Sequence, residues 1–284
     1  MKDISLIKLK MPKKKPEHTV RKMSVARRIL ADFNDVAAKF PRVQGVVEID
    51  ITEGRKKIKE YKEKNNYSIS LTSWIAKCVS KAVKENPKLN SFRKRGKKII
   101  VFENVDISIM VEVTTKDGKY VPFNHVIRKV ETKSVKEITD EIRSVQNKKI
   151  EEKEQITGDS GSFSGLIMLI PRKVRQFFIK RKLKNPFFVQ KLIGTVGITS
   201  LGMFAKNIFG WAVPFSDRTC NVALGGLQRV GWEIDGKLQA RDVICVLFMV
   251  DHNLVDGAPI ARFISRVAEL MGQAYGLEDI TKKE

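Results

Sequence analysis

The sequence of 284 residues is poor in the residues that build metal sites and disulfide frameworks. It contains three cysteines and three histidines. The cysteines, at positions 78, 220 and 245, lack the spacing of zinc-binding or thioredoxin-like motifs, and Cys78 and Cys245 lie within apolar runs. We therefore expect reduced cysteines buried in a core, no metal site and a cytoplasmic protein.

Long apolar runs are also absent. No stretch approaches the roughly 18 to 20 uninterrupted apolar residues of a membrane span. The first residues, MKDISLIKLKMPKKK, lack the apolar segment of a secretory signal. Because 42% of the residues are hydrophobic, the chain has enough apolar side chains for a core, as one large domain or two small ones.

Acidic residues are scarce and unevenly placed. The chain has 54 Lys and Arg against 32 Asp and Glu, a formal net charge of +22. Residues 1–15 carry six lysines against one aspartate, and residues 160–216 contain no acid but nine basic residues. A third basic run, RKRGKK at 93–98, is predicted to be the tip of a hairpin or an ordinary solvated face. This excess predicts attraction to a phosphorylated cofactor, a nucleic acid, an acidic protein or a lipid surface.

Helical and strand patterns alternate along the chain. Apolar spacing predicts helices at 25–38, 70–85 and about 259–272, and the charged stretch 53–64 is expected to be a surface helix. A capping box of Ser134 and Glu137 predicts another helix start. Strands are predicted at 43–51, 105–114, 120–130, 221–226 and 243–250, with a hairpin at Gly236. This mixture predicts an α+β domain with a mixed β-sheet flanked by helices.

The segment 147–193 departs from this alternation. Residues 148–164 are polar and rich in Gly and Ser, which is typical of a loop, whereas 166–193 are both apolar and basic. Pro171 and Pro186 are expected to divide the second part into short helices. Two interpretations stay open: an inserted helical hairpin that packs its aromatics on the parent domain, or an amphipathic surface at 166–191 that docks on an acidic protein or an anionic membrane.

The sharpest local pattern is VDHNLVDG at 250–257. An apolar strand ends at His252, and Asp256 and Gly257 follow four and five residues later, before a helix. A histidine at the rigid end of a buried strand has the fixed placement that a general base needs. A single histidine beside an aspartate is also a common structural feature, so the pattern alone leaves both roles open.

This segment resembles the His-x-x-x-Asp-Gly signature of the dihydrolipoyl acyltransferases of 2-oxoacid dehydrogenase complexes. Their catalytic domain is related to chloramphenicol acetyltransferase. Four further stretches resemble the same family: RKMSVARR at 21–28, VEIDIT at 47–52, VDISIMV at 105–111 and GTVGITSLG at 194–202. The resemblance implies a basic tail at 1–17 and a chloramphenicol acetyltransferase-like catalytic domain at 18–284, with an insertion at about 147–193.

The resemblance also implies roles for individual residues. His252 matches the general base, and Thr199, 53 residues earlier (252 minus 199), matches the position whose hydroxyl supports the oxyanion. Asp256 matches a residue that pairs with an arginine and braces the histidine loop, which makes Arg21 and Arg27 the two candidate partners. Ser200, Asn253 and Gly257 are supporting residues, and Gly257 is expected to permit a tight turn into the last helix.

The implied reaction moves an acyl group between coenzyme A and a thiol acceptor such as a dihydrolipoyl group. Coenzyme A or acyl-CoA is then a substrate, no lipoyl group is bound on this chain, and no metal takes part. Relatives place the active site between subunits, so the resemblance implies a homotrimer. Asn253 departs from the arginine usual at that position, and Thr199 and Ser200 replace a serine and asparagine pair, but neither change removes the base or the hydroxyl.

The sequence shows no lipoyl domain, subunit-binding domain or Ala/Pro-rich linker. We therefore expect a free-standing catalytic core whose acyl carrier is a separate lipoyl-bearing protein or a small acceptor. Two alternatives stay open: a non-catalytic trimeric assembly or binding module that keeps the fold, and acyl transfer to a small non-lipoyl acceptor. Nucleic-acid binding rests on charge alone, and since no nucleic-acid motif is present we do not expect it.

Overall fold

The computed structural model describes residues 19, 23, 25–37, 41–94, 98–150, 170–202, 209–214 and 218–278. The helices are α1 (Val25–Ala37), α2 (Thr52–Asn65), α3 (Leu71–Glu85), α4 (Val135–Gln146), α5 (Arg172–Leu183), α6 (Pro186–Ile193) and α7 (Gly257–Gly272). The strands are β1 (Arg42–Asp50), β2 (Ser91–Lys94), β3 (Lys98–Val101), β4 (Ile107–Thr115), β5 (Tyr120–Ile127), β6 (Lys149–Ile150), β7 (Val196–Ser200), β8 (Cys220–Ile234) and β9 (Lys237–Asp251).

One mixed sheet organises the described residues. Its strand order is β1-β9-β8-β7-β4-β5, and β6 pairs with β4. The neighbours β4, β7 and β8 run parallel, whereas β1, β9 and β5 pair antiparallel with their neighbours. Strands β2 and β3 form the predicted basic hairpin, although residues 95–97 at its tip lie outside the described residues. The predicted α+β class, with a mixed sheet flanked by helices, is confirmed.

The hairpin of β8 and β9 is longer than predicted. The sequence pattern indicated strands only at 221–226 and 243–250, but pairing continues to the turn at Asp235 and Gly236. Both turn residues have positive φ, 51° and 73°, as a two-residue type I′ turn requires. The outer halves of these strands are largely exposed, so they lack the apolar pattern that marks a strand in a sequence.

The core lies between the sheet and the helices α3 and α7. Trp74 of α3 is fully buried, and its indole nitrogen donates to the Tyr275 carbonyl at 2.9 Å. Phe263 of α7 packs edge-on against Phe248 of β9, with ring centroids 5.6 Å apart. These contacts fix the inner half of β9, which leads to the histidine turn.

The three cysteines are free and buried, as predicted. Burial raises the pKa of Cys220 to about 12 and that of Cys245 to about 11. Burial also raises the pKa of Cys78. These shifts favour the thiol over the thiolate form of all three side chains at neutral pH.

The basic segment forms two helices, the second of which begins at Pro186. Pro171 is the N-cap residue of α5 and Pro186 opens α6, so the predicted division at the two prolines is confirmed. The predicted loop at 148–164 falls almost wholly outside the described residues, as do residues 165–169. Helix α6 packs on the parent domain, because Val189 and Ile193 form a cluster with Phe92 of β2.

Helix α5 behaves differently from α6, because it buries none of its side chains. It rests on α1 through charged contacts, and its two phenylalanines face solvent. Within the described ranges, no helix is long and apolar enough to cross a membrane.

Candidate active site

Strand β9 carries His252 to one end of the sheet. The strand is buried from Val243 to Val250 and pairs with β1, with Asp251 opposite Arg42. Immediately afterwards the chain turns, since the backbone N–H groups of Leu254 and Val255 donate to the Asp251 carbonyl at 3.0 and 3.1 Å. The histidine therefore stands on a tight turn at the end of a rigid strand.

The imidazole of His252 is exposed and held through one ring nitrogen. Its Nδ1 lies 3.1 Å from the Val255 carbonyl oxygen. A carbonyl oxygen only accepts hydrogen bonds, so Nδ1 carries the proton and Nε2 of the neutral ring keeps its lone pair. No other described residue bonds to the ring, which leaves Nε2 available as a base.

The side chain of Asp251 holds this turn in place through hydrogen bonds and an ion pair. Its Oδ1 accepts from the backbone nitrogen of Asn253 at 3.0 Å and from the Asn253 side-chain amide at 2.9 Å. Its Oδ2 lies 3.3 Å from the Arg42 guanidinium, and the two side chains are only 13% and 10% exposed. The sequence prediction missed Asp251 and Arg42, although a carboxylate that ends a buried strand is itself a signal that a partner must be near.

Asp256 is the N-cap residue of α7 and is exposed. Its carboxylate makes no capping bond to that helix. Of its two predicted arginine partners, Arg21 lies outside the described residues and Arg27 is an exposed residue of α1. The pairing of Asp256 with either arginine stays a prediction.

The conformational role expected for Gly257 is wrong. Gly257 is the first residue of α7, its φ is not in the positive range, and a Cβ added there would meet no atom within 4 Å. The change of direction is made earlier, by the hydrogen-bonded turn that follows Asp251. Among the described residues there is therefore room for a Cβ at the Gly257 position.

Thr199 and Ser200 end strand β7. Thr199 is half-buried beside Ala223 of β8, and Ser200 lies beside Leu224. Among the described residues, nothing hydrogen-bonds to the Thr199 hydroxyl.

The structure does not bring Thr199 and His252 together within one chain. In the sheet register Thr199 is paired with Ala223 of β8, and Ala223 is paired with Leu247 of β9. His252 is five residues beyond Leu247 and two strands away from β7, which places the two Cα atoms about 15 to 20 Å apart. Groups that take part in one reaction must each lie within about 3 Å of the reacting atom on which they act.

The other described histidine is engaged elsewhere. His125 of β5 bonds through Nε2 to the Glu141 carboxylate at 2.9 Å, and Lys133 contacts the same carboxylate. Burial raises the pKa of Glu141, but the hydrogen bonds from His125 and Lys133 lower it more, so the net shift is downward. Among the described residues, no cluster of three or more His, Cys, Asp or Glu is arranged to hold a metal ion.

Comparison with known sequences places the chain among characterised relatives. It is 24% identical over 230 residues to the dihydrolipoyllysine-residue acetyltransferase component of the pyruvate dehydrogenase complex of Mycoplasma pneumoniae, covering 78% of this chain and 48% of the relative. It is 23% identical over 251 residues to the lipoamide acyltransferase component of the branched-chain alpha-keto acid dehydrogenase complex of Bacillus subtilis, covering 87% and 50%. The chain thus spans about half the length of the curated relatives it matches.

Solved structures share the fold. A probable dihydrolipoamide acetyltransferase from Listeria monocytogenes matches with a TM-score of 0.65 at 21% identity, over 94% of this chain and 97% of that one. The cubic core of a pyruvate dehydrogenase multienzyme complex matches with a TM-score of 0.64 at 20% identity, over 94% and 100%. These likenesses establish the fold.

A family comparison identifies the class of domain that this sheet and histidine turn belong to, an acyltransferase catalytic domain. The sequence model of the family described as "2-oxoacid dehydrogenases acyltransferase (catalytic domain)" matches residues 14–163 and 189–277. The chain therefore belongs to this family, and the predicted family is confirmed. Residues 164–188, which include α5, are not matched.

Proposed function

We propose that the chain transfers acyl groups between coenzyme A and a thiol acceptor such as a dihydrolipoyl group. The observation that carries the proposal is the hydrogen bond from Nδ1 of His252 to the Val255 carbonyl. It fixes the tautomer in which Nε2 is a base, and the Arg42 and Asp251 pair fixes the turn. The family relationship supports the same reaction class.

In this reaction Nε2 of His252 removes the proton of the attacking thiol. The thiolate sulfur then forms a bond to the thioester carbonyl carbon, and the carbonyl oxygen becomes an oxyanion that accepts a hydrogen bond from the Thr199 hydroxyl. When the intermediate collapses, the original carbon–sulfur bond breaks and the departing thiolate takes the proton back from the imidazolium. One oxyanion donor of this kind contributes about 2.7 to 4 kcal/mol.

We assign the two groups to different subunits of a homotrimer. The separation of about 15 to 20 Å between Thr199 and His252 in one chain supports this assignment, because one subunit alone leaves either the base or the hydroxyl out of reach. A closed ring of three identical contacts repeats such a shared site three times. In this scheme a separate lipoyl-bearing protein, or a small thiol, delivers the acyl group.

The decisive assay measures acyl exchange between acyl-CoA and free dihydrolipoamide. Acetyl, propionyl, succinyl and branched acyl thioesters are supplied, and free coenzyme A is quantified by chromatography, since transfer between thiols leaves the total thiol count unchanged. His252→Gln is expected to lower kcat by about 10²- to 10⁴-fold, and Thr199→Val by about 10²- to 10³-fold. His125→Gln is the matched control, because its ring is engaged by Glu141.

Wild type that releases no more coenzyme A than His252→Gln across the whole panel would favour the non-catalytic assembly module instead. The shared site has its own test. When His252→Gln and Thr199→Val chains are unfolded, mixed in equal amounts and refolded, about one quarter of the interfaces pair an intact histidine with an intact threonine. Recovery of about a quarter of wild-type activity is expected, and no recovery would place both groups in one subunit.

A further inference from the structure

Helix α5 lies on the surface of the domain and is fixed along one side only. Arg172 and Arg175 pair with the buried Asp32 of α1 at 3.1 and 2.7 Å. Gln176 donates to Asp35 at 3.0 Å. These contacts fix which side of α5 faces the protein and which faces solvent.

The opposite side of α5 is apolar at its centre. Phe177 is 62% exposed, Phe178 is 52% exposed and Val174 is 42% exposed. Their spacing of three and four residues places them on one side of the helix, and the two rings meet edge-on with centroids 5.9 Å apart. Aromatic side chains grouped in this way on a surface indicate a binding site.

Cations surround this apolar centre. The α5 surface consists of Val174, Phe177 and Phe178 together with the exposed residues Lys173, Lys180, Arg181 and Lys184. None of these four cations forms an ion pair with a described residue. The chain also has no acidic residue from 160 to 216, so the positive charge is not offset locally in the sequence.

A groove adjoins the α5 surface. It is lined by Lys94, Arg181, Lys184, Asn185 and Phe187. The Lys94 ammonium lies 5.3 Å from the centre of the Phe187 ring. Among the described residues the lining has three cations, an amide and an aromatic ring but no carboxylate, a combination that suits a phosphate group attached to a larger molecule.

We propose that the α5 surface docks on an anionic phospholipid bilayer. In the docked state the aromatics enter the interfacial region, the cations face lipid phosphates, and the groove receives a headgroup. An apolar centre within a basic rim suits a bilayer, which offers both an anionic surface and a hydrocarbon region. The surface also lies outside the part of the chain that the family model matches, since that match omits residues 164–188.

A second copy of the chain is a poorer occupant. Bringing this surface against another protein with a net charge of +22 opposes like charges. The segment that carries the surface also lies outside the family match. A bilayer offers the exposed rings a hydrocarbon region directly beside its anionic phosphates, which a purely acidic protein surface does not.

The test is co-sedimentation of the full chain with vesicles at about 0.15 M salt. Vesicles of phosphatidylcholine with phosphatidylglycerol are compared with phosphatidylcholine alone. Wild type is expected to bind only the anionic vesicles. Lys180→Gln/Arg181→Gln/Lys184→Gln is expected to weaken partitioning by about 100-fold, since each basic residue near the surface contributes about fivefold.

The aromatic contribution is tested separately, with Phe177→Ser/Phe178→Ser expected to weaken partitioning at least about tenfold. Matched controls are Lys56→Gln/Lys62→Gln/Lys64→Gln, which removes three exposed charges from α2, and Tyr120→Ser, which removes a 73% exposed aromatic from β5. Both controls are expected to bind as wild type does.

Absence of wild-type binding to anionic vesicles would overturn the proposal. An equal loss in the α2 control would overturn it as well, because the attraction would then be general to the basic protein. Light scattering tests the alternative that a second copy of the chain covers the surface. If wild type does not bind vesicles and Phe177→Ser/Phe178→Ser forms a smaller oligomer than wild type, the α5 surface is a subunit contact. Binding of wild type to polyglutamate but not to vesicles would make the partner an acidic protein.

Discussion

The ion pair of Arg42 and Asp251 is expected to support both the stability of the sheet and the position of His252. Arg42→Met keeps most of the aliphatic bulk and removes the charge. The Asp251 carboxylate, 13% exposed, then loses a partner 3.3 Å away, although it still accepts two hydrogen bonds from Asn253. The carboxylate is held one residue before His252, so the turn that carries the imidazole loosens.

The expected cost lies between two limits. Breaking a fully buried pair by removing one partner costs about 3 to 5 kcal/mol, whereas an exposed pair contributes at most about 1 kcal/mol. Both side chains are about a tenth exposed, so we expect Arg42→Met to lower the free energy of unfolding by about 2 to 3 kcal/mol. Urea unfolding measures this change, with an unchanged m-value as the sign that the same structure unfolds.

Activity is expected to fall with the loss of the pair. A displacement of about 1 Å in a catalytic group costs about 100-fold, so kcat for acyl exchange should fall about 10- to 100-fold with little change in KM. Arg241→Met is the matched control, because Arg241 pairs with Asp50 at 2.7 Å between the same two strands at their other end. It is expected to cost about 1 kcal/mol and to leave kcat unchanged.

A double-mutant cycle with Asp251→Asn measures the interaction between the two side chains apart from the contacts that each makes with other residues. A coupling of at least about 1 kcal/mol between Arg42→Met and Asp251→Asn is expected. The reasoning is refuted if the two changes add within about 0.5 kcal/mol. It is refuted equally if Arg241→Met lowers kcat as much as Arg42→Met does.

Three further predictions concern stability. Gly257→Ala is expected to raise the free energy of unfolding by a few tenths to about 1 kcal/mol in urea, since the position needs no glycine in the isolated chain; a loss would contradict this. Ser134→Ala removes the capping box and should cost about 1 kcal/mol in the same assay. Because the pKa of Glu141 is lowered in the folded state, its carboxylate contributes stability that is complete above the unfolded pKa and is lost as pH falls. Glu141→Gln should therefore flatten the decline of the unfolding free energy between about pH 5 and 3. Glu60→Gln, at an exposed position, is the control and should not flatten it.

Local signals in the sequence predicted local structure well. The capping box of Ser134 and Glu137 is present with both of its hydrogen bonds, and Gly236 closes the hairpin of β8 and β9. The apolar run before His252 predicted a buried strand that ends at the histidine, and the structure has that strand. In each case the residues that decide the conformation lie within a few positions of one another.

Contacts between distant segments were beyond the reach of these signals. Arg42 and Asp251 are 209 residues apart (251 minus 42), and their pairing depends on the antiparallel register of β1 and β9. The same limit applies to the separation of Thr199 from His252, which follows from the strand order and not from the spacing of 53 residues. The error at Gly257 is of another kind. This residue was expected to permit the tight turn before α7, but the hydrogen-bonded turn after Asp251 already makes that change of direction.

The basic segment shows why its two interpretations were inseparable in the sequence. Both α5 and α6 mix phenylalanines with cations, but α6 also has Gln190, which donates to the buried Asp106 at 2.6 Å, and Arg128 bridges Asp106 to the Gln190 carbonyl. Within the described ranges, helix α5 makes no such hydrogen bond to the sheet. It rests instead on Asp32 of α1, 140 residues from Arg172 (172 minus 32). Packing on the parent domain therefore describes α6, whereas the aromatics of α5 are exposed beside cations, as the proposed docking on an anionic bilayer needs.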